Sequence, residues 1–323
     1  MSLDWRRTSA YQGKGWKARV ASLSEELRSP LWSDYTVNSE FAPLRAVTLY
    51  IPGREFAPIA KPLAVQHLRP LNVTKLAREM RAITAAYENA GVKVHRLRTD
   101  LITPNSAPPN LMFNRDLFFM TPEGAVLARM ASRVRAGEEK FAAATLASLS
   151  IPIRAMISGR GLFEGADALW MDPKTVLVGV GNRTNVQGFT QLAEVLRTQS
   201  VRAIAVEMPH DVQHLLGVVQ FLDRDLVAVR IEKATPELIK LLNAHHFEII
   251  RIDEQPEIYL RQAMNFVTVK PRTIVMAKGC PRLRDQLEAH GVHIAAEVEI
   301  SQLLCAAGGI GCATGILARK ERK

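Results

Sequence analysis

Leu169-Trp170-Met171-Asp172-Pro173-Lys174-Thr175-Val176-Leu177-Val178-Gly179-Val180 is a pair of short apolar runs joined at an Asp-Pro turn. Apolar runs of four to eight residues bounded by turn residues read as the two strands of a β-hairpin. The same pattern returns at residues 117–128, 219–230 and 266–277, with turns at Thr121-Pro122-Glu123-Gly124, Asp223-Arg224-Asp225 and Lys270-Pro271-Arg272-Thr273. Turn to turn the steps are 51, 51 and 47 residues, and a period of that size marks an array of one supersecondary unit.

Each hairpin is followed by a stretch with helical apolar spacing. Thr235 and Pro236 open one such helix ahead of Leu238, Leu241 and Leu242; Pro281 opens another with Leu283 and Leu287, which stops before Gly291. Residues 141–149 and 189–196 read the same way. Upstream, Leu76, Met80, Ile83 and Tyr87 mark a helix ending at Gly91, between strands at 45–51 and 92–97, and this supplies a fifth unit. The expected fold is therefore α/β: five ββαβ units arranged as a pseudosymmetric α/β propeller around a central channel, with helices outside. Closure would remove exposed strand edges. Residues 1–35, with Trp5, Tyr11, Trp16 and Trp32, do not fit the period and are expected to form an N-terminal extension on the surface or over the site. Residues 36–318 form the expected catalytic domain, and 319–323 a solvated basic tail.

The repeat also aligns polar residues. Asp116, Glu164 and His214 lie just ahead of three hairpins at intervals of 48 and 50 residues; the fourth equivalent place, near Met264 or Asn265, holds nothing reactive, and the next step reaches Cys312. Units packed about an axis would bring a thiol, an imidazole and two carboxylates into one pocket. Cys312 sits in Gly308-Gly309-Ile310-Gly311-Cys312, whose glycines leave the sulfur open to backbone N–H groups, a setting that favours thiolate. Cys280 and Cys305 lack such a setting and read as small buried apolar groups. Glu164 and Asp167 in Phe163-Glu164-Gly165-Ala166-Asp167, and the Arg115-Asp116 pair inside a strongly apolar run, need internal partners if buried.

Composition narrows the classes of function. With 323 residues, 47% apolar and 23% charged, the chain is an ordinary globular one. No apolar run approaches the length of a membrane helix, so a soluble, cytoplasmic protein is expected. Three cysteines are too few for a disulfide framework, and CxxC, HExxH, GxGxxG and GxxxxGK[ST] patterns are absent, so no metal and no cofactor are expected. The net charge of +10 is spread along the chain and aromatic residues make up only 6%. Nucleic acid is accordingly not the expected partner, whereas a small-molecule ligand fits.

These segments resemble the guanidino-group modifying enzymes, the pentein superfamily of arginine deiminases, dimethylarginine dimethylaminohydrolases and amidinotransferases. The resemblance runs from about residue 38 to 313, through Asn38-Ser39-Glu40, Pro52-Gly53-Arg54-Glu55, the PNLMFNRD run ending at Asp116, FEGAD, Asn182-Arg183-Thr184-Asn185, Gln213-His214-Leu215 and the final GGIGC. It implies that Cys312 is the nucleophile, His214 the general acid and base, and Glu164 its carboxylate partner. Asp116 would anchor a guanidinium, with Asp167 in the same substrate-binding set. Arg135, Arg183 and Asn110 would hold a substrate α-carboxylate. The resemblance further implies a cysteine-dependent hydrolase of arginine or an N-substituted arginine, expected as a homodimer. Transfer of the amidino group to an amine is the first alternative, and a catalytically silent propeller that only binds is the second. One position departs from deiminases and amidinotransferases: they carry a second carboxylate two residues after the histidine, where this chain has Leu216. The helical insertion of many bacterial deiminases is also absent between Gly91 and Asn110.

Overall fold

The computed structural model describes residues 4–57, 59–100, 102–104 and 106–320. Its strands form five separate three-stranded sheets of one design. In the unit around Trp170, the first strand, Ala168–Asp172, runs antiparallel to Thr175–Val180; the helix Val186–Arg197 then returns the chain to Arg202–Glu207, parallel to the middle strand. Phe118–Thr121, Gly124–Leu127 and Ile153–Met156 repeat this arrangement about the helix Glu139–Ser148. So do Val219–Phe221, Leu226–Arg230 and Glu248–Ile252 about Pro236–Ala244, and Val267–Lys270, Thr273–Ala277 and His293–Val298 about Pro281–Ala289. The expected hairpins and their following helices are all present. Thr235 caps its helix through the Leu238 N–H, with Pro236 in the first turn.

The fifth sheet corrects one boundary. Leu44–Leu49 pairs in parallel with Lys93–Arg96, across the helix Val73–Asn89, but its antiparallel partner is the strand Gly315–Arg319 from the other end of the chain. Arg319, expected to begin a solvated tail, instead ends this strand. Its side chain is buried and donates to the Ala42 carbonyl at 2.7 Å, while its backbone N–H donates to Thr36 at 3.0 Å. Strand pairing and these hydrogen bonds outweighed the charge pattern from which the tail was read. Of that tail, residues 321–323 lie outside the described residues, as do residues 1–3 of the N-terminal extension.

Neighbouring sheets are joined at repeat-related places. Trp170 is fully buried, stacks on Phe119 and donates its indole N–H to the Met120 carbonyl of the preceding unit at 3.2 Å. Thr268 likewise donates its hydroxyl to Phe221 of the unit before it, at 3.0 Å. Burying a tryptophan removes about 150–250 Å² from water, on the order of 4–6 kcal/mol, so Trp170 is a principal contact between two units. Among the described residues before 36 there are short helical turns and an isolated bridge between Thr8 and Lys14, and Trp5, Tyr11 and Trp16 stay about half exposed. No described helix is long and apolar enough to cross a membrane.

Candidate active site

In four units a single helical turn precedes the strand that runs antiparallel to the middle one, and each turn carries or adjoins a reactive side chain. Asn114–Leu117 holds Asp116, Glu164 opens Gly165–Asp167, His214 opens Leu215–Gly217, and Ile310–Ala313 holds Cys312. Glycine permits the close approach of two of these turns, because a Cβ on Gly165 would lie 2.2 Å from the Phe118 carbonyl oxygen and 2.5 Å from that of Arg115.

The four side chains converge and are buried. His214 Nε2 is 2.8 Å from Glu164 Oε2, and His214 Nδ1 is 3.9 Å from Asp116 Oδ1. Burial alone would favour neutral imidazole, but Asp116 and Glu164 reverse this and lift His214 to about 9, so it is an imidazolium at neutral pH. Burial works to raise Glu164 as well. The hydrogen bond and charge of His214, with Arg135 and Arg183 nearby, overcome it and hold this carboxyl well below the usual range.

The fourth repeat position, read as unreactive, is occupied by Asn265, and it touches the nucleophile candidate. Asn265 Nδ2 donates to Cys312 Sγ at 2.9 Å, and Asn265 Oδ1 accepts from the Cys312 backbone N–H at 2.8 Å. The glycines around Cys312 have a second use here: a Cβ on Gly309 or Gly311 would come within 2.7–2.9 Å of the Asn265 side chain. The repeat register was the available signal, since Asn265 falls 51 residues after His214; a neutral amide does not stand out among titrating groups. Burial and the charge of Asp116 push the Cys312 thiol up to about 11, against the backbone at Gly309, Asn265 and Arg135, which favour thiolate. The resting pair is thus a thiol beside an imidazolium.

The expected substrate-binding residues divide. Asn110, Arg135 and Arg183 line the cavity on the Asp116 side of Cys312, but each already commits at least one donor inside the protein. The Arg135 guanidinium is paired with Asp116 and with Glu138 at 2.8 Å, and it donates to the Phe113 carbonyl. Arg183 Nη1 lies 3.3 Å from Glu164, and Asn110 donates to the Val65 carbonyl at 2.9 Å. Asp116 keeps one oxygen, Oδ1, buried and without a hydrogen-bond partner. Asp167, expected on the substrate, is absent from this lining: one of its oxygens accepts from the Thr184 hydroxyl at 2.7 Å and the other from the Leu215 N–H at 3.0 Å. Its place is behind His214, fixing the backbone that carries the imidazole, and burial raises it to about 6. Leu216 is likewise absent from this lining; it lines a second cavity, shared by His214, Asn265 and Cys312. Asp116, Glu164 and His214 bring one ligand atom each within 4.8 Å of one another, a spacing that suits a cation. Arg135 and Arg183 already set two guanidinium charges on these carboxylates, which opposes a metal ion and suits exchange with another guanidinium.

Comparison with known proteins points the same way. Residues 100–237 match the arginine deiminase family, a segment holding Asp116, Glu164 and His214. An arginine deiminase of Listeria monocytogenes is 36% identical over 113 residues, 31% of this chain and 27% of that enzyme; this chain thus matches about a quarter of the deiminase. The uncharacterized Bacillus subtilis protein YkgA is 25% identical over 71% of this chain and 77% of its own length. Among solved structures, the dimethylarginine dimethylaminohydrolase of Pseudomonas aeruginosa, complexed with citrulline, superposes with a TM-score of 0.67 at 20% identity, over 86% of this chain and 100% of that one. The inosamine-phosphate amidinotransferase of Streptomyces griseus gives 0.68 at 16% identity, over 89% and 97%. Over residues 100–237 the chain is similar to the arginine deiminases, and its fold is that of the dimethylaminohydrolase and amidinotransferase structures.

Proposed function

We propose that the protein hydrolyses the guanidino group of arginine or of an N-substituted arginine through a covalent S-amidinium on Cys312, with residues 36–319 closed as a five-bladed propeller around the site. One observation carries the assignment: an imidazolium held by two buried carboxylates beside a thiol that already receives a hydrogen bond. A guanidinium carbon is a weak electrophile because resonance spreads its charge, so attack needs a thiolate and carboxylates that fix the plane of the ion. The substrate guanidinium takes the free oxygen of Asp116 and displaces Arg135 from the other. Its positive charge beside Sγ lowers the thiol and releases a proton. The thiolate adds to carbon, and His214 protonates the departing nitrogen as the C–N bond breaks. Neutral His214 then takes a proton from water as oxygen adds, and the C–S bond breaks to give a urea-type product and thiolate. The second proton of that water ends on the released amine.

The deciding experiment incubates the protein with arginine, methylated arginines and agmatine, with and without glycine or lysine, and identifies products by mass spectrometry. Citrulline and free amine or ammonia are expected. New guanidino compounds formed only with an added amine would replace hydrolysis by transfer, and no turnover of any of these would overturn the assignment.

A further inference from the structure

Residues 62–69 join two walls of the small cavity beside Asp116. A single turn, Pro62–Val65, ends at Gln66, whose left-handed backbone (φ 67°) redirects the chain. Beyond it Leu68 and Arg69 donate their N–H groups to the Cys305 carbonyl at 2.7 and 3.2 Å, next to the cavity wall at 306–308. His67 lies between these anchors and is fully buried, although Leu63 and Leu68 on the same stretch are exposed. Its Nε2 is 3.1 Å from the Pro109 carbonyl and 3.1 Å from Asn110 Oδ1. Its Nδ1 is buried with no hydrogen-bond partner.

These contacts fix both the amide and the ring. Asn110 Nδ2 donates to the Val65 carbonyl, so Oδ1 is the atom that faces His67. Two acceptors then meet Nε2, which requires the tautomer with its hydrogen on Nε2. Burial holds the imidazole below its usual range, so the ring is neutral. Filling space alone would be done better by an apolar side chain, because the bare Nδ1 loses its water and gains no partner. What the imidazole adds is the N–H that holds Asn110 Oδ1. With Oδ1 taken by His67 and one N–H by Val65, Asn110 has one N–H left for the cavity that it lines.

We infer that His67 is a positioning residue: by holding Asn110 Oδ1 it makes Asn110 a hydrogen-bond donor to the substrate, and so selects guanidino compounds whose far end carries a carboxylate. This rests on the hydrolase assignment above. Without the Nε2 hydrogen the amide is free to turn over and offer the cavity an oxygen, which repels a carboxylate where a donor attracts it.

The test compares His67→Leu with His67→Gln on arginine and on agmatine, which has no carboxylate. The glutamine amide carries an N–H to about the place of Nε2, and leucine carries none. His67→Leu should raise KM for arginine about tenfold, the loss of one hydrogen bond, with kcat changed less than about twofold and kcat/KM for agmatine less than about threefold. His67→Gln should bring the arginine KM back to within about threefold of the parent, because it restores that bond. Equal losses for the two substrates, or no difference between the two variants, would overturn the inference. Nitrogen NMR of the imidazole in the parent protein measures the tautomer whether or not either variant folds: hydrogen on Nε2 is expected, and hydrogen on Nδ1 would also overturn it. If no guanidino compound is cleaved, the hydrolase assignment fails by itself. His67 is then judged by calorimetry on Cys312→Ala protein: a preference for arginine over agmatine that His67→Leu abolishes sustains the inference, and no preference, or one that persists, removes it.

Discussion

Asn265→Asp replaces an amide N–H on the sulfur with a carboxylate oxygen while keeping an acceptor for the Cys312 N–H. With Asn265 Nδ2 2.9 Å from Sγ, a full negative charge at that place opposes a thiolate by roughly 5 kcal/mol at an effective dielectric near 20. That is more than three pKa units, so at a given pH the thiolate fraction should fall about a thousandfold or more. Asn265→Ala is milder in charge and harsher in structure: losing a hydrogen bond to a charged group costs about 1.5–3 kcal/mol, roughly a 10- to 150-fold drop in rate, and the buried Cys312 N–H loses its acceptor. The assay is the pH dependence of Cys312 alkylation by iodoacetamide in protein lacking Cys280 and Cys305, which needs no knowledge of the substrate. Asn265→Asp should shift the profile far to the alkaline side with the fold intact by circular dichroism. If its profile coincides with that of the parent protein, the bond from Asn265 does not stabilise the thiolate, and its role is confined to holding the backbone.

Cys312→Ser should abolish turnover with little change in melting temperature, whereas Cys280→Ser and Cys305→Ser should keep activity; normal turnover by Cys312→Ser would rule out the covalent route. The reactive form needs thiolate and imidazolium together, with Cys312 near 11 and His214 near 9 in the free protein. Thus kcat/KM should climb as pH rises toward about 9 and fall again above about 11, and kcat should peak at lower pH because bound guanidinium lowers the thiol. A kcat/KM optimum below pH 7 would contradict this order of protonation. Arg183→Ala, at the pocket edge, should weaken arginine by roughly 1.5–3 kcal/mol and scarcely affect agmatine, which has no carboxylate; equal losses for the two would remove Arg183 from carboxylate recognition. Arg135→Ala should instead lower the melting temperature and impair both substrates, because it strips the counter-ion from buried Asp116 and Glu138, a change worth about 3–5 kcal/mol.

What the sequence disclosed, and what it hid, follows from how each group is satisfied. Period, hairpins and helix starts were legible because they depend on local patterns: apolar runs, Asp-Pro and Lys-Pro turns, Thr235 before Pro236. The convergence of Asp116, Glu164, His214 and Cys312 followed from the same period, since equal steps through like units return to equivalent places. Pairings across the chain were not legible. Arg319 looks like the start of a basic tail until Ala42, more than two hundred residues earlier, accepts its guanidinium. Arg135 was expected to face a substrate carboxylate, but Glu138 and Asp116 claim it first, and Asp167 turns its oxygens to Thr184 and Leu215 instead of the cavity.

Those pairings make the unliganded site a matched set of charges. Asp116 and Glu164 are each held by cations, His214 is the imidazolium between them, and the sulfur remains protonated under Asn265. A substrate that lacks a guanidinium cannot replace Arg135 on Asp116 without leaving a buried carboxylate uncompensated, a penalty of several kcal/mol. A substrate that has one exchanges like for like, and brings beside the sulfur the charge that turns thiol to thiolate. Selection for the guanidino group and activation of the nucleophile are then a single electrostatic event, and both should fail together in Asp116→Asn, which keeps the shape of the site and removes the charge being exchanged.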